Sequence, residues 1–298
     1  MNNKIISGAF WLSFGSIISR ILGVIYLIPW LIMIGHSNIA SAQALFNSAY
    51  TPYALFISLG TAGFPSAIAR RVALYKSNKQ YQESNSLFYS GLIIMGFSGI
   101  ICATLLFTLS PLIAKNSPVT SYHDAVKTIK ILSPTLFIIP VMSVIRGWLQ
   151  GNQDLKPFGL SQVIEQFTRI LFILGSTFFV IYILKLPFTI AVQASVFAAF
   201  IGALAGLFYL CKYRSNNYQD KFDIKLINLT KTFKLTRLTI LESIPFLLVG
   251  SGITVMQLID QVFFKQIMNN ILGYSLLKTQ YIYTLFSANP NKITTVII

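Results

Sequence analysis

Apolar runs long enough to cross a bilayer constrain this chain more than any other feature. Eight can be drawn, approximately at residues 5–34, 43–69, 87–114, 126–145, 158–184, 188–210, 241–268 and 281 to the end. Each of the first seven reaches the roughly 20 residues that a helix needs to cross the hydrocarbon. Inside hydrocarbon no water is available to the backbone, so each run must satisfy its own N–H and C=O groups as a helix. The expected fold is therefore all-α, a polytopic helical membrane protein. Composition agrees: only 10% of the 298 residues are charged and mean hydropathy is +0.67, where soluble domains carry about 25% charged residues. No cleavable leader is expected, because the run after MNNK continues to Ile34 without an A-x-A-like stop.

A net charge of +15 could point to nucleic acid, but in a membrane protein the placement of charge matters more than its sum. If the amino terminus is cytoplasmic, the inside connections hold fourteen basic residues: Lys4, Arg70, Arg71, Lys76, Lys79, Arg146, Lys156 and the seven between Lys212 and Arg237. The outside connections hold six, Lys115, Lys127, Lys130, Lys185, Lys265 and Lys278, and Arg20, Arg169 and Lys292 fall within spans. That bias predicts a multi-pass membrane protein with its amino terminus in the cytoplasm, and it accounts for the charge without a nucleic-acid partner. Within the long 212–238 connection, FDIKLINLTKTFKLTR interleaves apolar residues with lysines. It reads as an amphipathic helix on the inner leaflet joining two bundles, or as an ordinary solvated loop.

The polar residues inside the spans carry the functional information. In 146–170, RGWLQGNQDLKPFGLSQVIEQFTRI, the part RGWLQGNQDLKP reads as a cytoplasmic loop. The helix after it carries Gln162, Glu165, Gln166 and Arg169 at i, i+3, i+4 and i+7, one stripe. Charges and amides facing lipid are costly, so this stripe is expected to face protein or a water-filled cavity. A local Glu165–Arg169 bridge is one reading; a carboxyl that carries a proton or a cation is the other. In the first span Ser13, Ser16, Arg20 and Gly23 share a face. Arg20 is too deep to snorkel, so it either meets an anionic substrate or pairs internally, with Glu165 as the candidate. The seventh run has Gln257, Asp260 and Gln261 on one face, with Asp260 placed as an interfacial anchor. Prolines 52, 65, 134, 140, 245 and 290 suggest kinked helices of the kind alternating access uses.

Catalytic chemistry finds little support. The eight acids form no adjacent pair in an outside connection, no P-loop or metal-ligand spacing is present, and Cys102 and Cys211 lie in apolar runs as small buried hydrophobes. An enzyme of envelope synthesis is thereby disfavoured, and no cofactor is expected.

Three stretches carry a resemblance: SRILG in the first span, ALFNSAYTPYALFISLGTAGFPSAIARRVALYKS in the second, and RGWLQGNQDLKPFGLSQVIEQFTRI. They resemble the polysaccharide-biosynthesis flippases of the multidrug/oligosaccharidyl-lipid/polysaccharide exporter (MOP) superfamily, in the stage V sporulation protein B-like and MurJ-like branch. The resemblance implies two six-helix lobes around a cationic cavity, and rocking of the lobes that moves undecaprenyl-pyrophosphate-linked oligosaccharide or lipid II, with H+ or Na+ as a coupling ion. A cation-coupled multidrug exporter of the same superfamily is the alternative. On this reading residues 1–211 form a MATE/MOP-type amino-terminal lobe, 212–238 the inter-lobe linker, and 239–298 the start of the second lobe. Substrate-binding residues are expected at Arg20, Gln162, Glu165, Gln166, Arg169 and Lys292. The branch's second arginine in the first span is missing, since the chain reads Val24-Ile25-Tyr26-Leu27 there. The chain stops within an apolar run, so it is expected to be either the first part of a longer protein or a truncated, inactive product.

Overall fold

A computed structural model describes residues 2–61, 63–119, 121–218, 244 and 250–288. Among them there is no strand, and six helical stretches are long and apolar enough to cross a membrane. The helices are α1 (Asn2–Ile25), α2 (Leu27–Ile34), α3 (Ile39–Thr61), α4 (Phe64–Ser77), α5 (Tyr81–Asn116), α6 (Tyr122–Leu132), α7 (Thr135–Gly151), α8 (Lys156–Phe178), α9 (Phe188–Asn217), α10 (250–265) and α11 (Leu276–Tyr283). Short connections make successive spans antiparallel, so the molecule has two ends. We call the end that holds the start of α1 the near end and the other the far end.

Several expected single spans are helix pairs. The first breaks at Tyr26, and the second at Gly63, which sits in the left-handed region (φ 69°) with Pro65 in the following turn. The fourth breaks at Ser133–Pro134, because proline supplies no N–H to the preceding turn. The fifth closes its far end with a π turn, Phe179–Ile183. A larger correction concerns RGWLQGNQDLKP. Helix α7 continues through Arg146 to Gly151, leaving a connection only at 152–155. Met142, Ile145, Trp148 and Leu149 are buried on one face, and the packing of this apolar stripe holds the helix together past Gly147.

The described spans pack around two apolar cores. One, toward the far end, gathers Trp30, Phe46, Leu132, Leu136, Val192 and Val196; the other, toward the near end, gathers Phe64, Ile68, Leu87, Phe88, Trp148 and Leu210. The outward faces are apolar as well: Phe97 and Phe208 are 63% and 71% exposed. Large exposed apolar patches are costly in water and appropriate in lipid. Many buried polar groups are paired within the bundle, as a medium without water favours. Trp30 Nε1 donates to Ser195 Oγ at 2.9 Å, and Ser195 lies 3.0 Å from Thr177 Oγ1, tying α2, α8 and α9.

Two close approaches set the position of α8. Helix α1 runs parallel to it, with Gly8 beside Leu155, Gly15 beside Gly159 and Gly23 beside Gln166. A Cβ on Gly159 would collide with the Trp11 carbonyl, so only glycine permits this spacing. On its other side α8 meets antiparallel α9, where a Cβ on Gly202 would sit 2.6 Å from the Glu165 carbonyl oxygen. At the near end Asp154 accepts hydrogen bonds from Tyr213 (2.9 Å) and Tyr218 (3.0 Å), fastening the end of α9 to the α7–α8 turn. Burial, then the Asp154 charge, push the Tyr218 phenol above its usual range. The expected linker 212–238 begins as a continuation of α9 to Asn217; residues 219–238 lie outside the described residues. Cys102 is buried, whereas Cys211 is exposed on α9 rather than buried as its apolar surroundings suggested.

Candidate functional site

Glu165 stands at the centre of the polar stripe, and two arginines hold it. Arg169 Nη2 donates to Oε1 at 2.7 Å from one turn further along α8, and Arg146 Nη2 donates to Oε2 at 3.0 Å from α7. Arg146 is positioned in turn by Nε, which donates to Ser161 Oγ at 2.9 Å, and by the Phe158 ring beneath its guanidinium. The Ser161 hydroxyl donates to the Phe158 carbonyl at 2.6 Å and so keeps its lone pairs toward Arg146. Side-chain exposures of 14% for Arg146 and Glu165 and 20% for Arg169 place the triad largely within the bundle. Taking ions from water is expensive, and shared charge-assisted hydrogen bonds offset that cost. With both carboxylate oxygens occupied by guanidinium groups, Glu165 acts as a fixed counter-charge. The triad keeps an excess of one positive charge.

That excess lies among aromatic hydroxyls. Tyr26, Tyr50 and Tyr53 are within electrostatic reach of the Arg169 guanidinium. Arg169 Nε, Gln162 Oε1, Tyr53 Oη and Thr135 Oγ1 are buried atoms with no hydrogen-bond partner among the described residues. Such atoms cost free energy where they stand. Of these, Arg169 Nε is a donor among the tyrosine hydroxyls, open to an anion or to water.

The expected site residues are distributed as follows. Glu165 and Arg169 are brought together, and Gln166 joins loosely, accepting from Arg169 Nη1 at 3.5 Å. The stripe is not one wall, however. At about 100° per residue Glu165 and Gln166 diverge, and Glu165 faces α7 and α9 while the Gln166 amide lies against Gly23 of α1. Gln162 is half-buried on the same helix. Arg20 does not pair with Glu165, whose oxygens are both taken; it is exposed on α1 and has no ion-pair partner among the described residues. Lys292 lies outside the described residues. Arg146 was absent from the expected set because its segment reads as a loop. The signal that reveals it is the apolar period 141, 142, 144, 145, 148, 149, which carries a helix past it. Among the described residues no cluster of His, Cys, Asp and Glu could hold a metal ion.

Comparison with known proteins places this geometry in context. The profile of a family described as polysaccharide biosynthesis protein matches residues 5–281. Among curated proteins of Bacillus subtilis (strain 168), the chain is 38% identical over 220 residues to the lipid II flippase MurJ, covering 72% of this chain and 40% of that one. It is 26% identical over 207 residues to stage V sporulation protein B, covering 69% and 38%. The chain thus spans less than half the length of these relatives. Similar solved structures include a MOP superfamily transporter from Pyrococcus furiosus whose binding pocket has reverse polarity, with a TM-score of 0.63 at 16% identity over 97% of this chain and 60% of that one. A MATE protein in complex with MaL6 aligns with a TM-score of 0.68 at 16% identity over the same shares. At such identities the likeness is one of fold.

Proposed function

The chain belongs to the polysaccharide biosynthesis protein family of the MOP exporter superfamily, and from that premise we propose that it serves a flippase. Its cargo would be an undecaprenyl-pyrophosphate-linked oligosaccharide or lipid II, moved across the cytoplasmic membrane by alternating access. The amino terminus, and with it the near end, lies in the cytoplasm. The observation that carries this reading is the Arg146–Glu165–Arg169 triad. A membrane lobe that holds two arginines on one carboxylate, with Arg20 on the adjacent α1 lacking an ion-pair partner among the described residues, presents positive charge to its cargo. A pyrophosphate has the matching charge and the acceptor oxygens that guanidinium groups bind best.

Each residue has a role in this scheme. Arg20 is the contact for the pyrophosphate. Arg169 supplies the excess charge, Gln162 and Gln166 offer amides to the sugar or to water, and Lys292 adds a cation from the second lobe. Arg146 and Glu165 orient Arg169. A multidrug exporter for cations would need an acid free to bind them, and Glu165 is already neutralised. Coupling to H+ or Na+ then falls to groups other than Glu165.

The decisive experiment is complementation of a strain depleted of its own lipid II flippase, with the protein expressed from its own gene. Wild type restores growth, and Arg20→Ala abolishes rescue with membrane levels unchanged. Full rescue by Arg20→Ala would remove Arg20 from the site; no rescue by wild type would argue against lipid II as the cargo.

A further inference from the structure

Two polar side chains of α10, Gln261 and Lys265, find partners at the far end, while Asp260 is exposed. Gln261 is fully buried, and its amide joins four elements. Nε2 donates to the Ser48 carbonyl of α3 at 3.1 Å and to Ser117 Oγ, just past α5, at 2.8 Å. Oε1 accepts from Tyr283 Oη of α11 at 3.3 Å. One step further out, Ser41 Oγ of α3 donates to Gln280 Oε1 of α11 at 2.9 Å, and Lys265 Nζ donates to the Lys115 carbonyl at 3.0 Å. Gln280 and Tyr283 are each 1% exposed. These five bonds either join the first lobe to α10 and α11 or brace the amide that does.

We infer that Gln261, with Gln280 and Tyr283, is a latch that closes the outer side of the transport path and opens when α10 and α11 swing away from α3. The inference rests on the alternating-access reading for its direction, and its physical basis is the chemistry of the contact. An apolar seam would cost free energy in proportion to its area each time water entered. A seam of amides and hydroxyls exchanges its hydrogen bonds for water at small net cost. Closed, every polar atom of the Gln261 amide is engaged; open, water replaces each partner. Such a contact favours the closed state modestly and specifically, as a reversible gate requires.

The test uses the protein expressed from its own gene in intact cells, with Cys102 and Cys211 replaced by Ala and a single reporter, Ala44→Cys. Ala44 is fully buried on α3 between Ser41 and Ser48. The probe is a membrane-impermeant maleimide added from outside. Gln261→Leu removes the three hydrogen bonds of the Gln261 amide, which exist only in the closed state, so labelling rises about tenfold, the scale of two or three hydrogen bonds at their net worth. A rate that Gln261→Leu leaves unchanged both in intact cells and in inside-out vesicles overturns the latch. Should that variant fail to reach the membrane, the pair Ser41→Cys and Gln280→Cys, joined by a short bifunctional thiol reagent, must suppress labelling of the reporter; continued labelling overturns the latch equally. The readout needs no cargo, so it stands apart from the flippase assignment. Labelling that Gln261→Leu accelerates only from the cytoplasmic side would keep the latch and overturn the orientation.

Discussion

At the scale of single residues the triad predicts an asymmetry. Glu165→Gln leaves Arg146 and Arg169 without a carboxylate, and removing one partner of a buried pair costs roughly 3–5 kcal/mol. Because these side chains retain 14–20% exposure, the loss should sit near the lower bound, about 3 kcal/mol, seen as a lower melting temperature in detergent. Arg169→Gln leaves the Arg146–Glu165 pair intact and removes only the excess charge. It should keep most of the stability and lose complementation. Equal destabilisation by the two changes would mean that Arg169 is structural. Of the triad, Glu165 and Arg169 are legible in the sequence, since an i,i+4 pair of opposite charge in an apolar run must face inward. Arg146 is not, because its neighbours Gly147, Gln150, Gly151 and Asn152 have the composition of a turn. Helix α4 overrides that composition by packing close against Gly147 and Gly151, and no local pattern announces such tertiary support.

Helices α1 and α8 depend on approach distance, and glycines report it. Gly159→Ala should drive α1 from α8, costing about 1–3 kcal/mol or more as overpacking does, and should displace the face that carries Arg20. Gly175→Ala on the same helix is the control. Nothing lies within 4 Å of its added methyl, so thermal stability should be unchanged or rise by up to about 1 kcal/mol from the lower entropy of the unfolded chain. Equal loss from both substitutions would show that α8 simply tolerates no bulk. The existence and order of the first six spans are read directly from the apolar runs. The breaks at Tyr26, Gly63 and Ser133–Pro134 are only partly announced. Proline marks the third, and Pro29, which has no N–H for the Ile25 carbonyl, marks the first, yet Pro52, Pro111 and Pro140 sit inside continuous helices. A proline shows where a helix can break; neighbouring helices decide whether it does.

For the whole molecule the open question is direction, and charge placement gives it a testable form. Moving Arg146 from a connection into the triad reduces the number of basic residues expected inside from fourteen to thirteen, against six expected outside. The bias survives, and it is strengthened in kind, because Arg146 is held by Glu165 and no longer needs an aqueous compartment. Single cysteines should therefore divide by end. Lys79→Cys, in the α4–α5 turn, should react with an impermeant thiol reagent only in inside-out vesicles, and Lys185→Cys, in the α8–α9 turn, only in intact cells. Both positions have positive φ (58° and 53°) and lie in exposed turns, so cysteine there is slightly strained but disturbs no packing. The opposite pattern would invert the path. Arg20 and the triad would still lie within the membrane, but the Gln261 contacts would then close the cytoplasmic side, and the cargo would meet its cations from outside. The cargo proposed above is loaded from the cytoplasmic face only under the first pattern, because the proposed latch then closes the outer end and leaves the cytoplasmic side open.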